Sequence, residues 1–373
     1  MADGIPILPE DIIRNILERL PVKSLMRFQC VCRQWRSLFK TQYFITNHLH
    51  HSNHQNPCLL LQRYDMDNPS NFYCLDSEMQ VSELQTPPLL NSLKQGRIIG
   101  SSNGLLCVTI NMHNASVHSF GVWNPAIREV RLVPQIKFHG DYWYYDIGFG
   151  FCPVMNDYKI VITYFSVFGY ISAVKVHSLS LGEWKEVEFR VNDTLSVNSK
   201  SVSVNGVMFW WTSKSFGRDT DDEDENVIVS FDLAVEVFTV IPIPKLQPIK
   251  LTVYEEKLAI ISRKENSVHS AIDLWVMEEG VGASGERCGW TKKYTFSPNP
   301  CFLNPNCFLN PNCFLNPTTI WRNEIVSCPH GVEESTAVFL NLTTEKMKKF
   351  AISKCDYDHY IFNYAESLVR LEE

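Results

Sequence analysis

Apolar residues recur at helical spacing in the first 20 positions of the chain. Five of them stand at i, i+1, i+4, i+5 and i+8 and form one apolar stripe: Ile12, Ile13, Ile16, Leu17 and Leu20. Glu10 and Asp11 follow Pro9, which suits the first turn of a helix. A proline there loses no hydrogen bond, and negative charge interacts favourably with the positive end of the helix dipole. Pro21 interrupts the stripe. The pattern therefore predicts a first helix that ends before Pro21.

Two further short helices are predicted directly after this one. The second carries Leu25, Phe28 and Val31, and the third contains Trp35. Three short helices within about forty residues bury little surface by themselves. We therefore expect their apolar faces to meet a partner, either elsewhere in the chain or on another protein.

The pattern changes from about residue 58 to short β-branched and aromatic runs separated by Asn, Asp, Gly and Pro, which predicts strands. A turn followed by a strand recurs at five places, as NGLLCV at Asn103, NDYKIVITYF at Asn156, NGVMFWW at Asn205, EEKLAIIS at Glu255 and NEIVSC at Asn323. A period of about 50 residues with several strands in each unit is typical of a β-propeller. With one more unit near residue 60, we predict about six blades, closed by the terminal YAESLVRL.

Charge divides the chain into a basic segment and an acidic body. Residues 1–50 hold seven Lys and Arg against four Asp and Glu, whereas the rest holds 27 against 37, and the formal net charge is −7. An acidic body disfavours nucleic acid as the main partner, because binding phosphates requires a surplus of cations. The basic segment is suited instead to an acidic protein.

The twelve cysteines do not point to disulfides or to zinc. MADGIPILPEDII, at the N-terminus, lacks the apolar core of a secretory signal, so we expect reduced thiols and a cytoplasmic or nuclear location. None of the cysteines are spaced as C-x-x-C, which disfavours a metal. Since no apolar run approaches about 18 residues, no membrane span is expected.

Several motifs resemble known sites but have simpler interpretations. GSSNG around Ser102 matches the pattern of a serine nucleophile, and GVGASG at 280–285 matches that of a dinucleotide loop, but each is followed by a strand-like run rather than the required helix. We expect Asn103-Gly104 to be a hairpin turn. HLHHSNH at 48–54 reads as a solvated connector, DTDDEDE at 219–225 as a soluble loop, and the repeated CFLNPN at 301–317 as a duplicated loop. No catalytic residue, metal or cofactor is predicted.

Two aromatic clusters are candidates for binding a target protein. One lies in KFHGDYWYYDIGFGF and includes Tyr142, Trp143 and Tyr144, and the other is the pair Trp210 and Trp211. Tyr and Trp anchor many protein interfaces. Alternating residues of a strand can also face the core, so a structural role for these side chains remains open.

The N-terminal segment resembles an F-box of the plant type. Residues 8–36 carry LPEDxxxxIxxRLPxKSLxRFxCVCxxWR, although Thr41-Gln42 replaces the usual Asp-Pro. The rest is similar to the F-box-associated domain of the same plant proteins. The motifs that carry this second resemblance are WNP at 123–125, GFGF at 148–151, DYK at 157–159, SFDL at 230–233 and LWVM at 274–277. There is no Gly-Gly doublet of the kelch type.

The resemblance implies an α+β multidomain chain, with an F-box of about three helices at 1–50, a connector at 51–57 and an all-β propeller-like domain at 58–373. It also implies the substrate receptor of a Skp–cullin–F-box ubiquitin ligase, bound to a Skp-family adaptor directly, to a cullin–RING module through it, and to an unknown target. By carry-over, the residues expected in the helical core or the adaptor face are Leu8, Pro9, Ile12, Ile16, Leu20, Pro21, Leu25, Val31 and Trp35. The alternatives are a non-ligase adaptor and a ligand-binding or enzymatic propeller.

Overall fold

A computed structural model provides the structure of the chain. It describes residues 8–63, 71–88, 96–110, 117–137, 144–167, 170–189, 195–197, 200–214, 225–263, 271–278, 289–296, 317–327, 336–351 and 360–371. GVGASG and all but the last residue of both the hexapeptide repeat and DTDDEDE lie outside these ranges. No helix among the described residues is long and apolar enough to cross a bilayer.

Four helices, not three, form the N-terminal unit. Their bounds are α1 Glu10–Glu18, α2 Val22–Phe28, α3 Arg33–Leu38 and α4 Gln42–Gln55. The backbone of α1 begins after Pro9, as predicted from the sequence. Helix α2 begins after Pro21 and ends at Phe28, so the prediction that Val31 belongs to the second helix is wrong. Helix α3 is capped by the Cys32 sulfur, which accepts from the Trp35 N–H at 3.4 Å, and α4 by the Thr41 hydroxyl. We call residues 8–55 the helical unit.

The prediction of a solvated connector for the histidine-rich segment is wrong, because this segment lies within α4. His48 is buried, and its Nε2 lies 2.9 Å from the Leu20 carbonyl oxygen. Burial lowers the pKa of His48 below its usual value, against the opposing effect of this hydrogen bond. His50 and His54 remain exposed and stack on each other. The segment therefore forms one wall of the helical core.

The described strands form six antiparallel sheets arranged as the blades of a propeller. Blade 1 contains β1 Cys58–Arg63, β2 Asn71–Leu75, β3 Val81–Glu83 and the last strand, β25 Tyr360–Tyr364. Blade 2 contains β4 Arg97–Ser102, β5 Leu105–Thr109, β6 Val117–Asn124 and β7 Glu129–Lys137. Blade 3 contains β8 Tyr144–Cys152, β9 Asp157–Phe165, β10 Ile171–Ser178 and β11 Glu183–Val187.

The other three blades follow in chain order. Blade 4 contains β12 Leu195–Val197, β13 Val202–Val204, β14 Val207–Lys214, β15 Glu225–Asp232 and β16 Phe238–Pro242. Blade 5 contains β17 Gln247–Tyr254, β18 Lys257–Arg263, β19 Ile272–Met277 and β20 Trp290–Phe296. Blade 6 contains β21 Pro317–Trp321, β22 Glu324–Ser327, β23 Thr336–Asn341 and β24 Met347–Ala351. The predicted six-bladed architecture is confirmed.

Tight turns join the first and second strands of blades 2, 5 and 6, and join β13 to β14 in blade 4. Asn103-Gly104, Asn205-Gly206, Glu255-Glu256 and Arg322-Asn323 each place both residues at positive φ. A two-residue link of this kind matches the right-handed twist of the flanking strands. The expected Asn103-Gly104 hairpin is therefore confirmed, and the five recurring turn signals mark equivalent positions in successive blades.

The last two strands of blades 4 and 6 are joined by a second repeated turn. In blade 4 the Asp232 carboxylate accepts from the N–H groups of Ala234 and Val235, and Glu236 closes the turn at positive φ. The Asn341 side chain makes the equivalent bonds in blade 6, to Thr343 and Thr344. Short polar side chains that bond the backbone two or three residues ahead stabilise such turns.

The ring is closed by β25, which pairs with β1 in register from Cys58↔Tyr364 to Gln62↔Tyr360. The strand that closes the ring is thus YIFNY rather than the predicted YAESLVRL, which shares only Tyr364 with it. Residues 365–371 continue past the sheet to the helical unit. We call Ala365–Leu371 the C-terminal strap.

The two ends of the propeller are different. The two kinds of tight turn lie at one end, together with the helical unit, since Ala126 and Ile127 of the β6–β7 turn pack against the helical core. We call this the turn end. The connections between second and third strands, and those between blades, leave from the other end, the loop end, because the strands are antiparallel.

Candidate binding sites

The apolar stripe of α1 is divided between two environments. Leu17 is buried, and Ile13 and Leu20 pack beside it in the helical core. The adjacent column of side chains faces outward, with Leu8 52%, Ile12 49% and Ile16 47% exposed. Ile12 and Ile16 stand four residues apart in α1 and share one face of the helix, and Leu8 lies just before its first turn, ahead of Pro9. We call them the outer apolar column.

The predicted adaptor-face residues therefore separate into two groups. Pro9, Pro21 and Val31 are exposed like the column, and Val31 is 62% exposed in the link between α2 and α3. Leu25 is fully buried, while Leu20 and Trp35 are half-buried in the helical core, where the Trp35 ring lies 5.7 Å from that of Phe28. The second group packs in the core that holds the helices together.

Part of the helical core was missed from the sequence. Phe44, Ile45, His48 and Leu49 are buried on α4 at i, i+1, i+4 and i+5, the spacing that identified α1. The signal was present, preceded by Thr41 as a helix cap. The histidines obscured it, because they were interpreted as solvated.

Cations are frequent among the exposed residues of the helical unit. Six are exposed, namely Arg19, Lys23, Arg27, Arg33, Arg36 and Lys40. Arg14 lies 3.7 Å from the Asp11 carboxylate and over the Tyr43 ring. An exposed apolar face on a unit with many exposed cations suits a partner that has an apolar groove and an acidic surface, because complementary charge directs association.

Trp210 is not a surface residue. It is 2% exposed, and its indole N–H donates to the Asp146 carboxylate at 2.8 Å. Burial raises the pKa of Asp146, against which the bond from Trp210 acts to lower it. Trp210 therefore packs between blades 3 and 4, and the idea that it contacts a target is inconsistent with its burial.

The other target-face candidates lie towards the loop end or outside the described residues. Tyr144 begins β8 there, is 36% exposed and stacks on Phe165 with ring centroids 4.5 Å apart. Trp211 is half-buried in the last half of β14 and donates to the Asn226 side chain at 3.0 Å. Tyr142 and Trp143 lie outside the described residues. Tyr145, next to Tyr144, is equally exposed.

Metal ligands do not cluster in the part of the chain that the structure describes, where no three His, Cys, Asp or Glu side chains stand together. Ser102 ends β4 and leads into a two-residue hairpin rather than a helix, so it lacks the turn that exposes a nucleophilic serine.

The chain thus combines a small helical unit that has an outward apolar face with a closed propeller, and the helical unit lies at the turn end. Residues 44–371 match the model of the F-box associated beta propeller domain, and residues 5–47 match the F-box domain. The chain belongs to this family of plant F-box proteins with an F-box-associated propeller, as the sequence motifs indicated.

Relatives named as F-box proteins occur in Arabidopsis thaliana. One is 27% identical over 288 residues, covering 73% of this chain and 74% of the relative. Another is 26% identical over 335 residues, covering 79% of this chain and 74% of the relative. A third is 26% identical over 367 residues and covers 92% of this chain and 82% of the relative.

Solved structures resemble the chain only weakly. TolB from Acinetobacter baumannii is 8% identical with a TM-score of 0.47, covering 86% of this chain and 72% of that one. The beta-propeller domain of the Trilobed protease from Pyrococcus furiosus is 9% identical with a TM-score of 0.41, covering 79% and 80%. Neither likeness bears on what this chain does.

Proposed function

We propose that this chain is the substrate receptor of a Skp–cullin–F-box ubiquitin ligase. The observation that carries the proposal is the outer apolar column, Leu8, Ile12 and Ile16, which is left half-exposed on a unit that carries six exposed cations and matches the F-box domain. A Skp-family adaptor would cover the column and would bring the cullin–RING module with it.

The propeller would hold the target at its loop end. The helical unit occupies part of the turn end, whereas Tyr144 and Tyr145 stand exposed towards the loop end. Aromatic side chains of this kind supply large contact area at low entropic cost. We propose that Tyr144, with Trp211 and the neighbouring Tyr142 and Trp143, contributes to target capture.

We assign no catalytic residue to this chain. In the proposed complex, ubiquitin transfer belongs to other subunits, and the receptor raises the local concentration of the target beside the ubiquitin donor. The six described free cysteines are compatible with the reducing cytosol or nucleus, where we place the protein.

The adaptor surface is tested with Ile12→Ser combined with Ile16→Ser in the full chain. The adaptor should bind at least about thirtyfold more weakly, since loss of an apolar hot spot costs about 2 kcal/mol or more. Val154→Ser with Leu181→Ser is the matched control, because both residues are exposed apolar side chains on blade 3 turns. Calorimetric titration with purified adaptor measures the difference.

Two results would overturn the proposal. Unchanged adaptor affinity in the double variant would place the interface elsewhere. Tight adaptor binding without recovery of cullin on co-purification would identify a non-ligase adaptor instead.

Identification of the target requires a receptor variant that binds its target but does not cause the target to be degraded. Deleting the F-box would expose Leu368 and Ile127, which pack against the helices. The Ile12/Ile16 double variant keeps those contacts and is the better bait for proximity labelling. Targets that are labelled more by this bait than by its Tyr144→Ala version would support target binding at the loop end. Equal labelling by the two baits would contradict it.

A further inference from the structure

The C-terminal strap joins the helical unit to the propeller through side chains on both. We propose that it is a positioning device that fixes the direction of the helical unit relative to the propeller. Its consequence for ubiquitin transfer rests on the proposed function, since a fixed direction sets the span between adaptor and target. The orientation itself is a property of this chain alone.

The strap supplies the missing cap of α2. Pro21 precedes this helix and offers no side-chain acceptor, and the Val22 N–H donates instead to the Glu366 carboxylate at 3.0 Å. The first N–H groups of a helix have no partner within it, and a negative charge there is favourable. A residue 344 positions later in the chain thus completes a helix of the N-terminal unit.

The strap also completes the helical core. Leu368 is 3% exposed and packs with Leu17, Leu25 and Phe39 of the helices. Val369 contacts both this core and that of blades 2 and 3. Because removal of a leucine side chain from water is strongly favourable, this contact is a substantial part of the attachment.

Side chains of blade 2 form hydrogen bonds with the backbone of the strap. The Asn124 amide donates to the carbonyl oxygens of Ser367 at 3.0 Å and Val369 at 2.8 Å, and the Glu129 carboxylate accepts from the Leu371 N–H at 2.8 Å. The strap crosses the β4–β5 hairpin so closely that a Cβ at Gly104 would lie 2.3 Å from the Ser367 Cβ. The hydrogen bonds from β6 and β7 and the close contact with the β4–β5 hairpin therefore fix the path of the strap across blade 2.

Arg370 bonds to both bodies at once. One guanidinium nitrogen lies 3.3 Å from the Glu129 carboxylate of blade 2, and the other donates to the Gln29 side chain of the helical unit at 3.4 Å. Direct contact outside the strap comes from Ala126, Ile127 and an exposed amide pair, Gln42 with Asn156 at 3.2 Å. Because small interfaces within a chain allow domains to move, loss of the strap should loosen the helical unit.

The test measures orientation in the full chain without adaptor. Spin labels on unnatural amino acids at the exposed Lys40 and Glu186 report the distance between the helices and blade 3. Leu368→Ala should broaden the distance distribution. Leu342→Ala is the matched control, because Leu342 is 2% exposed in blade 6 and belongs to a core without helical residues, so it should leave the distribution narrow.

A second variant covers the case in which Leu368→Ala does not fold. Glu366→Gln with Arg370→Gln removes both charges from the strap, the ion pair of Arg370 with Glu129 and the shorter side chain's reach to Gln29, and it should also broaden the distribution. A distribution that superimposes on that of the wild type, in this variant or in a folded Leu368→Ala chain, would overturn the positioning role.

The consequence for the ligase is tested separately. In a reaction reconstituted with adaptor, cullin–RING module, ubiquitin-conjugating enzyme and ubiquitin, lysines of the receptor that become modified are mapped by mass spectrometry. The strap variants should spread modification over more lysines at unchanged adaptor affinity, and an identical pattern would contradict the consequence. Absence of adaptor binding by the wild type would defeat the proposed function and leave the distance result standing.

Discussion

Lys159 is a charged side chain on a strand whose nine residues are all buried. Its ammonium group donates to the Leu233 carbonyl oxygen and, at 2.7 Å, to the Glu236 carboxylate, which also pairs with Lys185 at 2.7 Å. Burial raises the pKa of Glu236, but the two lysines together lower it by more than burial raises it. The pKa of Glu236 is therefore below its usual value. The DYK motif at 157–159 was visible in the sequence, whereas its partner 77 residues away was not.

Replacing the two lysines should have unequal effects on stability. Lys159→Met leaves the buried Leu233 carbonyl without its donor and should cost about 1–3 kcal/mol. Lys185→Met removes an ion pair to Glu236 of the same length, 2.7 Å, but the Lys185 side chain is 53% exposed. This variant should therefore cost no more than about 1 kcal/mol. Urea unfolding measures both. Equal losses would show that burial of Lys159 does not determine the cost.

His118 should make stability depend on pH. Burial lowers its pKa from 6.5 to about 4, so the folded state resists a proton that the unfolded chain accepts. Stability is then complete above pH 6.5 and falls as the pH decreases towards 4. His118→Phe, which can retain the ring contact with Tyr145, should flatten this part of the thermal unfolding profile. A wild-type slope that persists in the variant would assign it to other groups.

At the scale of elements, the sequence predicts the positions of the hairpin turns, but it predicts the helical unit only in part. Asn-Gly pairs predict a turn because Gly and Asn tolerate positive φ. Glu255-Glu256 adopts the same conformation, at φ 47° and 60°, without such residues. Helix α4 went unpredicted although its apolar spacing matched that of α1, because burial of His48 depends on the Leu20 carbonyl of another segment.

The turns offer a paired prediction. Glu255→Asn with Glu256→Gly should stabilise the chain by about 1 kcal/mol, because a side chain at positive φ is strained by about 1–2 kcal/mol and glycine avoids this. Gly206→Ala should destabilise it, since φ is +82° and the new Cβ would lie 2.7 Å from the Pro153 ring. Chemical denaturation compares them. A loss of stability in the first variant would mean that the glutamate side chains compensate for the strain.

At the scale of the whole molecule, the N- and C-terminal parts of the propeller form one blade. Strand β25 covers β1, whose Leu59, Leu60 and Leu61 are almost completely buried. An uncovered apolar strand edge is a site of aggregation. Closure of the ring therefore depends on the last segment of the chain.

Nested deletions should separate closure from attachment of the helices. Removal of residues 360–373 takes away β25 and should abolish cooperative unfolding and promote aggregation. Removal of residues 366–373 keeps β25 and should retain a cooperative β-sheet transition while amides of α2, such as Val22, lose protection from hydrogen exchange. Circular dichroism and exchange measurements distinguish the two. A cooperative transition in the longer deletion would show that β25 is dispensable for the propeller.

Local patterns in the sequence determined the fold class, because helical spacing, turn residues and a period of about 50 residues are properties of neighbouring positions. Long-range packing decided the rest. It placed Ile12 and Ile16 outside but Ile13 and Leu17 inside, buried Trp210 against Asp146, and used Tyr360–Tyr364 to close the ring. The physical reason is that the burial of an apolar side chain depends on which distant segment covers it, and the covering segments here include one more than 300 residues away.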